Sequence, residues 1–171
     1  MALASRKRVS STPLYTAEQR LRRDRSPWTL VQGVLAPLQF VVFLVSAWLV
    51  IRYLLTGDGY GLATASVVLK TAVLYTIMVT GAIWEKDVFG QYLFVSAFFW
   101  EDVVSMGVLA LHTAYLVTLL LPSVTPATQM WIALAAYAAY VVNAVQFLLK
   151  LRAARLQGER AAAEPLPEPA S

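Results

Sequence analysis

Four acids, Glu85, Asp87, Glu101 and Asp102, gather in one short stretch between apolar runs, while Lys70 and the single histidine, His112, lie inside such runs. Carboxyl groups at an apolar boundary suit proton transfer. One, desolvated, has its pKa raised and serves as acid, and another in a wetter place stays ionised as base. Glu101 and Asp102 equally suit the first turn of a helix, where acids favour the exposed amides. The chain has no cysteine, which excludes disulfides, thiolate nucleophiles, iron–sulfur clusters and Cys-ligated zinc. One histidine cannot make a paired-histidine haem site or a multi-histidine iron box. No metal site and no cofactor is expected, and a redox-neutral reaction or a binding role remains.

The elements that must position these groups are membrane helices. Of 171 residues 58% are apolar and 14% charged, against roughly 45–50% and 25% in a soluble domain, and the apolar residues come in runs of about twenty. The chain therefore reads as all-α and polytopic, with four transmembrane helices behind a short N-terminal amphipathic interfacial helix. Residues 1–13 form a basic tail without an apolar signal region and are expected to be disordered. Thr16-Ala17-Glu18-Gln19 is a capping-box pattern opening an Arg-rich helix that Pro27 ends. The spans are expected over Gly33 to Leu55, with a kink near Pro37, over Leu62 to Ile83, and over Trp131 to Leu149, with Trp84 to Asp87 as a loop. Between Gln91 and Leu121 there is more apolar length than one span needs. Either Tyr92 to Phe99 is an interfacial or re-entrant piece before a helix starting near Phe98, or one tilted helix contains the acids. The four-helix unit is placed at 14–157, and 158–171 is expected to be a disordered Ala/Pro/Glu tail.

Eleven of the 14 Lys and Arg residues lie in the two tails: Arg6, Lys7, Arg8, Arg20, Arg22, Arg23, Arg25, Lys150, Arg152, Arg155 and Arg160. That pattern flanks membrane helices and points to anionic lipid rather than nucleic acid. Four spans put both termini on one side, and the positive-inside rule makes it the cytoplasm.

Each ionisable group in a span costs roughly 2.5–3.5 kcal/mol on insertion scales and so needs a reason. At 1.5 Å per residue His112 and Lys70 share a level about 12–14 Å from the outer surface. Gln39, Ser105, Asn143 and Gln146 fall nearer the cytoplasm, with Glu101 and Asp102 at its edge. Glu101, Ser105, Val108, His112 and Tyr115 fall within about 40° on one helix face, Glu101 and His112 being roughly 16 Å apart along it. The polar groups thus outline a chamber opening inward, which Tyr115, Tyr140, Asn143, Gln146 and Gln39 would line. Other readings stay open: Lys70 snorkelling or bonding a carbonyl, His112 packed in the core, Asn143 and Gln146 joining helices, and Trp28, Trp84, Trp100 and Trp131 as interfacial anchors.

Longer motifs go further. Ser26-Pro27-Trp28-Thr29-Leu30-Val31-Gln32-Gly33-Val34-Leu35-Ala36-Pro37-Leu38-Gln39-Phe40, Ile83-Trp84-Glu85-Lys86-Asp87-Val88-Phe89-Gly90, Phe98-Phe99-Trp100-Glu101-Asp102 and Leu109-Ala110-Leu111-His112-Thr113-Ala114-Tyr115 closely resemble the vinyl bacteriochlorophyllide hydratase family of photosynthetic bacteria, over about Tyr15 to Gln157. The resemblance implies a hydro-lyase that adds water across the 3-vinyl group of chlorophyllide a, or a related bacteriochlorophyllide, giving a 1-hydroxyethyl group in bacteriochlorophyll biosynthesis. Contact with other enzymes of that pathway is compatible with it. It carries over no catalytic residues. Those expected from the residues themselves are Glu101, as general acid, with Asp102, Glu85 and Asp87. His112 is the one imidazole for the pigment's magnesium, Lys86 a cation for its propionate, and Lys70, Tyr115, Tyr140, Asn143, Gln146 and Gln39 further substrate contacts. A non-catalytic tetrapyrrole carrier or assembly factor would show the same chamber. A transporter would place an acid at a span midplane, where the first, second and fourth spans have none.

Overall fold

Residues 14–163 are described by the computed structural model, with side chains through Leu156. The tail segments 1–13 and 164–171, expected to be disordered, lie outside the described residues. Five helices follow in order: α1 (Ala17–Arg25), α2 (Pro27–Thr56), α3 (Tyr60–Phe89), α4 (Phe99–Thr118) and α5 (Pro126–Ala163).

Local chemistry sets their ends. The capping box forms as the sequence requires: Gln19 N–H donates to Thr16 Oγ1 at 3.2 Å and Thr16 N–H to Gln19 Oε1 at 2.9 Å. Ser26, forced extended by the proline after it, separates α1 from α2, and Pro27 takes a first-turn position where no N–H is missed. Gly57 and Gly59 take left-handed backbone at φ 78° and 85° and make the tight α2–α3 turn. Gly90, at φ 85°, stops α3 by donating its N–H to Lys86 O at 2.9 Å. Pro37 lies inside the helical run of α2.

Three of these helices, α2, α3 and Pro126–Leu156 of α5, are long and apolar enough to cross a membrane. Only 28% of each apolar window is buried within the protein, so most of that apolar surface faces outward, as in a membrane protein. Leu38, Val41, Leu44 and Val45 on α2 and Val141, Val142 and Val145 on α5 are among the exposed residues.

The helices pair as two antiparallel hairpins, α2 with α3 and α4 with α5. Polar and aromatic rungs fix each register. In the first, Trp84 Nε1 donates to Thr29 Oγ1 (2.9 Å), Gln32 Nε2 to Thr80 Oγ1 (2.7 Å), and Ser46 Oγ meets Ser66 Oγ (2.7 Å). In the second, Lys150 pairs with Glu101, Asn143 Nδ2 donates to Ser105 Oγ (2.9 Å), the Tyr137 ring lies 5.8 Å from the His112 ring, and Gln129 Nε2 donates to Thr118 O (2.9 Å). Such bonds contribute about 0.6 kcal/mol each between membrane helices, so they select register more than they supply stability. Ser46 to Tyr137, Tyr75 to Thr113 and Lys70 to His112 join the hairpins. The core between them is aromatic and aliphatic, with Phe43, Val50, Val67, Leu74, Val108, Tyr115, Tyr137 and Tyr140 buried together.

Two expected boundaries move. Trp84 to Asp87, expected as a loop, continues α3, because nothing breaks the helix before Gly90. The α3–α4 connection instead occupies Gln91 to Phe98, non-helical, with α4 starting at Phe99. Of the two readings of that stretch, one continuous tilted helix is therefore excluded. In addition α5 extends past Gln157 to Ala163.

Candidate active site

Because α3 continues to Phe89, Glu85 turns inward while Lys86 and Asp87 turn out to the exposed side. Glu85 and Asp102 are both buried, and their carboxyl groups face each other within hydrogen-bonding reach. The α3–α4 connection clasps the pair with its backbone. Phe94 N–H donates to Asp102 Oδ2 at 2.6 Å, and the Val95 amide lies near the Glu85 carboxyl. Leu93 and Phe94 adopt left-handed backbone, φ 49° and 55°, to aim those amides. Bulky residues in that region cost on the order of 1–3 kcal/mol each, a strain typical of functional sites.

The third acid has a cation. Lys150 Nζ lies 2.6 Å from Glu101 Oε2 in a largely buried pair and 5.2 Å above the Phe98 ring. Behind Glu85, Tyr15 stacks on Phe89 at 5.7 Å and carries the Arg23 guanidinium at 5.0 Å. Burial raises the Tyr15 phenol above its ordinary value, against the lowering pull of Arg23.

A second polar group lies deeper. Lys70 and His112 are fully buried, Lys70 Nζ standing 3.0 Å from His112 Nε2 and 4.0 Å above the Tyr140 ring. His112 Nδ1 lies 2.8 Å from Val108 O; a carbonyl only accepts, so Nδ1 carries the hydrogen and Nε2 accepts from Lys70. Both ring nitrogens are engaged. Gln39, beside Tyr140, and Asn143 and Gln146 each keep a buried side-chain oxygen without a partner, and the buried Tyr115 hydroxyl lies near Thr64.

The structure thus brings Glu85, Asp102 and Glu101 to one end of the bundle and Lys70, His112 and Tyr140 to the middle. Asp87 joins neither group. Lys86 stays exposed, donating to Gly90 O at 2.7 Å with Tyr92 beside it. The sequence reading missed Lys150 and the Phe94 and Val95 amides. Lys150 could have been found by running the antiparallel α4–α5 register outward from Ser105 and Asn143, but backbone donors on an irregular loop leave no side-chain signal.

These features define a class: an all-α membrane protein with a set of carboxyl groups buried at one end of its helices. The match to known proteins is narrower. The chain belongs to the 2-vinyl bacteriochlorophyllide hydratase family, whose model matches residues 15–153. It is 68% identical over 148 residues to the 2-vinyl bacteriochlorophyllide hydratase of Cereibacter sphaeroides, covering 86% of this chain and 92% of that one. With the protein of the same name from Rhodobacter capsulatus it shares 66% over 148 residues, 86% of each chain. No solved structure matches.

Proposed function

We propose that this chain hydrates the vinyl group of a bacteriochlorophyllide, or of chlorophyllide a, to a 1-hydroxyethyl group in bacteriochlorophyll biosynthesis, with Glu85 and Asp102 as its proton-transfer pair. The observation that carries the assignment is the placement of these two buried carboxyls within reach of each other. Two carboxylates have only acceptors to offer each other, and like charges so close do not both ionise. The pair therefore holds one proton.

That shared proton suits the reaction. The vinyl π electrons take the proton from one carboxyl to form a C–H bond at the terminal carbon, leaving a cation at the carbon attached to the ring, where conjugation spreads the charge. A water oxygen then bonds to that carbon, and the other carboxylate accepts the proton it sheds. Because the two carboxyls lie within reach of each other, this proton passes back across the pair and restores the starting state. Glu85 suits the acid, since its Oε2 is buried without another donor, and Asp102, fixed by the Phe94 amide, suits the base. Glu101, matched by Lys150, adds an ionised carboxylate close to the developing cation. The exposed Lys86 ammonium is suited to the substrate's propionate.

The same reading gives the membrane arrangement. α4, with 20 residues or about 30 Å, lies antiparallel to α5 and would be a fourth span. Both termini, α1 and the α3–α4 connection would then face the cytoplasm at the inner membrane, in keeping with the Arg-rich flanks. The unit 14–157 would act as one domain.

Expression in cells that accumulate chlorophyllide a tests the function. The expected product is a pigment heavier by one water, strongly reduced with Asp102→Asn. Retained but chemically unchanged pigment would make the chain a carrier instead.

A further inference from the structure

The α3–α4 connection and the first turn of α4 together present three neighbouring rings. Phe94 lies 6.0 Å from Phe99, and Trp100 stands nearly edge-on to Phe99 at 5.5 Å and 84°. All three are open, 41%, 43% and 69% exposed respectively. In the other ring cluster at this end Tyr15 and Phe98 are buried, with Trp84, Phe89 and Phe147 partly buried against them. The exposed rings are covalently tied to the carboxyl pair: Phe94 supplies the N–H that Asp102 accepts, and Phe99 precedes Asp102 by three positions, one turn along the same side of α4.

Left-handed backbone at Leu93 and Phe94 is what unites these features. It sends the Phe94 amide in toward Asp102 and leaves the Phe94 ring outside, beside Phe99. An interfacial anchor needs no such backbone, because rings reach the headgroup level from ordinary helix ends, and the exposed Trp131 near the start of α5 sits on ordinary helix. A flat, apolar, conjugated ligand whose reacting group must reach Asp102 requires both features at once.

We propose that Phe94, Phe99 and Trp100 form the stacking face for the planar tetrapyrrole, the Leu93–Phe94 turn holding that face against the Glu85–Asp102 pair. The proposal rests on the hydratase reading for the identity of the ligand and adds where its ring system lies. Phe94 and Phe99 supply ring surface to one face of the macrocycle, and Trp100 borders it. The substituent is then carried toward the carboxyls while the opposite face of the macrocycle remains toward lipid.

The test uses the full chain in lipid nanodiscs, with chlorophyllide a titrated by its absorption shift and turnover followed separately. Phe99→Leu and Trp100→Leu keep apolar bulk for the bilayer but remove the stacking surface. Each should raise the dissociation constant and KM about 3- to 10-fold while kcat changes little. Phe99→Tyr and Trp100→Phe should restore most of the affinity, and Trp131→Leu near the start of α5, away from the carboxyl end, should leave it unchanged. If both leucine variants insert and bind chlorophyllide as wild type does, the rings are membrane anchors and the proposal falls. Should one leucine variant not insert, Phe94→Leu on the connection carries the same expectation and the same means of refutation. Binding that weakens in these variants, in a wild type that forms no hydrated product, would uphold the stacking face and overturn the hydratase reading. Normal hydration with unchanged KM would do the reverse.

Discussion

Lys70 and His112, 42 positions apart, meet at 3.0 Å in the middle of the helices, and no carboxylate pairs with that lysine among the described residues. Around the Lys70 amine stand the Tyr140 ring at 4.0 Å, the Tyr137 ring at 5.8 Å and the imidazole that Val108 O orients. This is a joint between the hairpins: Lys70 belongs to α3, His112 to α4 and Tyr140 to α5.

Breaking the joint from one side should cost more than replacing it. His112→Ala leaves the buried Lys70 amine without its acceptor and should destabilise the protein by about 1–3 kcal/mol. Lys70→Met combined with His112→Leu should recover most of that loss, because an apolar pair of similar volume fits the same space. Thermal unfolding in detergent measures both. Chlorophyllide affinity of folded His112→Ala should match wild type, since neither ring nitrogen is free. A tenfold weaker affinity at unchanged stability would return His112 to the pigment.

Helical counting made that joint legible. A rise of 1.5 Å per residue placed Lys70 and His112 at one level, and the wheel grouped Glu101, Ser105, Val108, His112 and Tyr115, all of which are buried on α4. The carboxyl pair was not legible in the same way. With Trp84 to Asp87 read as a loop, the direction of Glu85 was undefined, whereas a helix ending at Gly90 turns Glu85 inward and Asp87 outward. Gly90 was the available signal, as glycine just past a helix commonly takes the left-handed stop. Lys150 was read only as a topology charge, because its partner lies 49 positions away and no local spacing points to it.

The carboxyl assignments predict a graded series of turnover losses. Glu85→Gln and Asp102→Asn each keep shape and lose a titrating site, so each should lower kcat roughly 10²-fold or more with the protein still inserted. Glu101→Gln removes a stabilising charge without removing the shared proton and should cost less. Quantifying hydrated pigment per inserted protein checks the order. Near-normal turnover in Glu85→Gln together with a large loss in Glu101→Gln would move the acid to Glu101.

Dependence on pH follows from a pair that must hold one proton. Lowering pH protonates the second carboxyl and removes the base, and raising pH strips the shared proton and removes the acid. The kcat profile should be bell-shaped, its two limbs belonging to the pair rather than to either residue. In Asp102→Asn the limb at low pH should flatten, as no base remains to be protonated. An unchanged low-pH limb in that variant would place the base elsewhere.

The membrane arrangement makes the final prediction, and it turns on α4. Reporter fusions after Thr56 and after Leu121 should both read as periplasmic, and fusions after Gly90 and after Gln157 as cytoplasmic. The signals after Leu121 and Gln157 decide whether α4 crosses. If α4 lay within the cytoplasmic interface, the chain would have three spans, Leu121 would read as cytoplasmic, and Gln157 would emerge in the periplasm. The Arg-rich flanks oppose that outcome, since it would carry Lys150, Arg152 and Arg155 to the positive-poor side. It would also require α4 to lie in the membrane plane while α5 stands across it, yet the rungs from Glu101–Lys150 to Thr118–Gln129 hold the two antiparallel along the length of α4. A cytoplasmic reading after Leu121 would refute the fourth span.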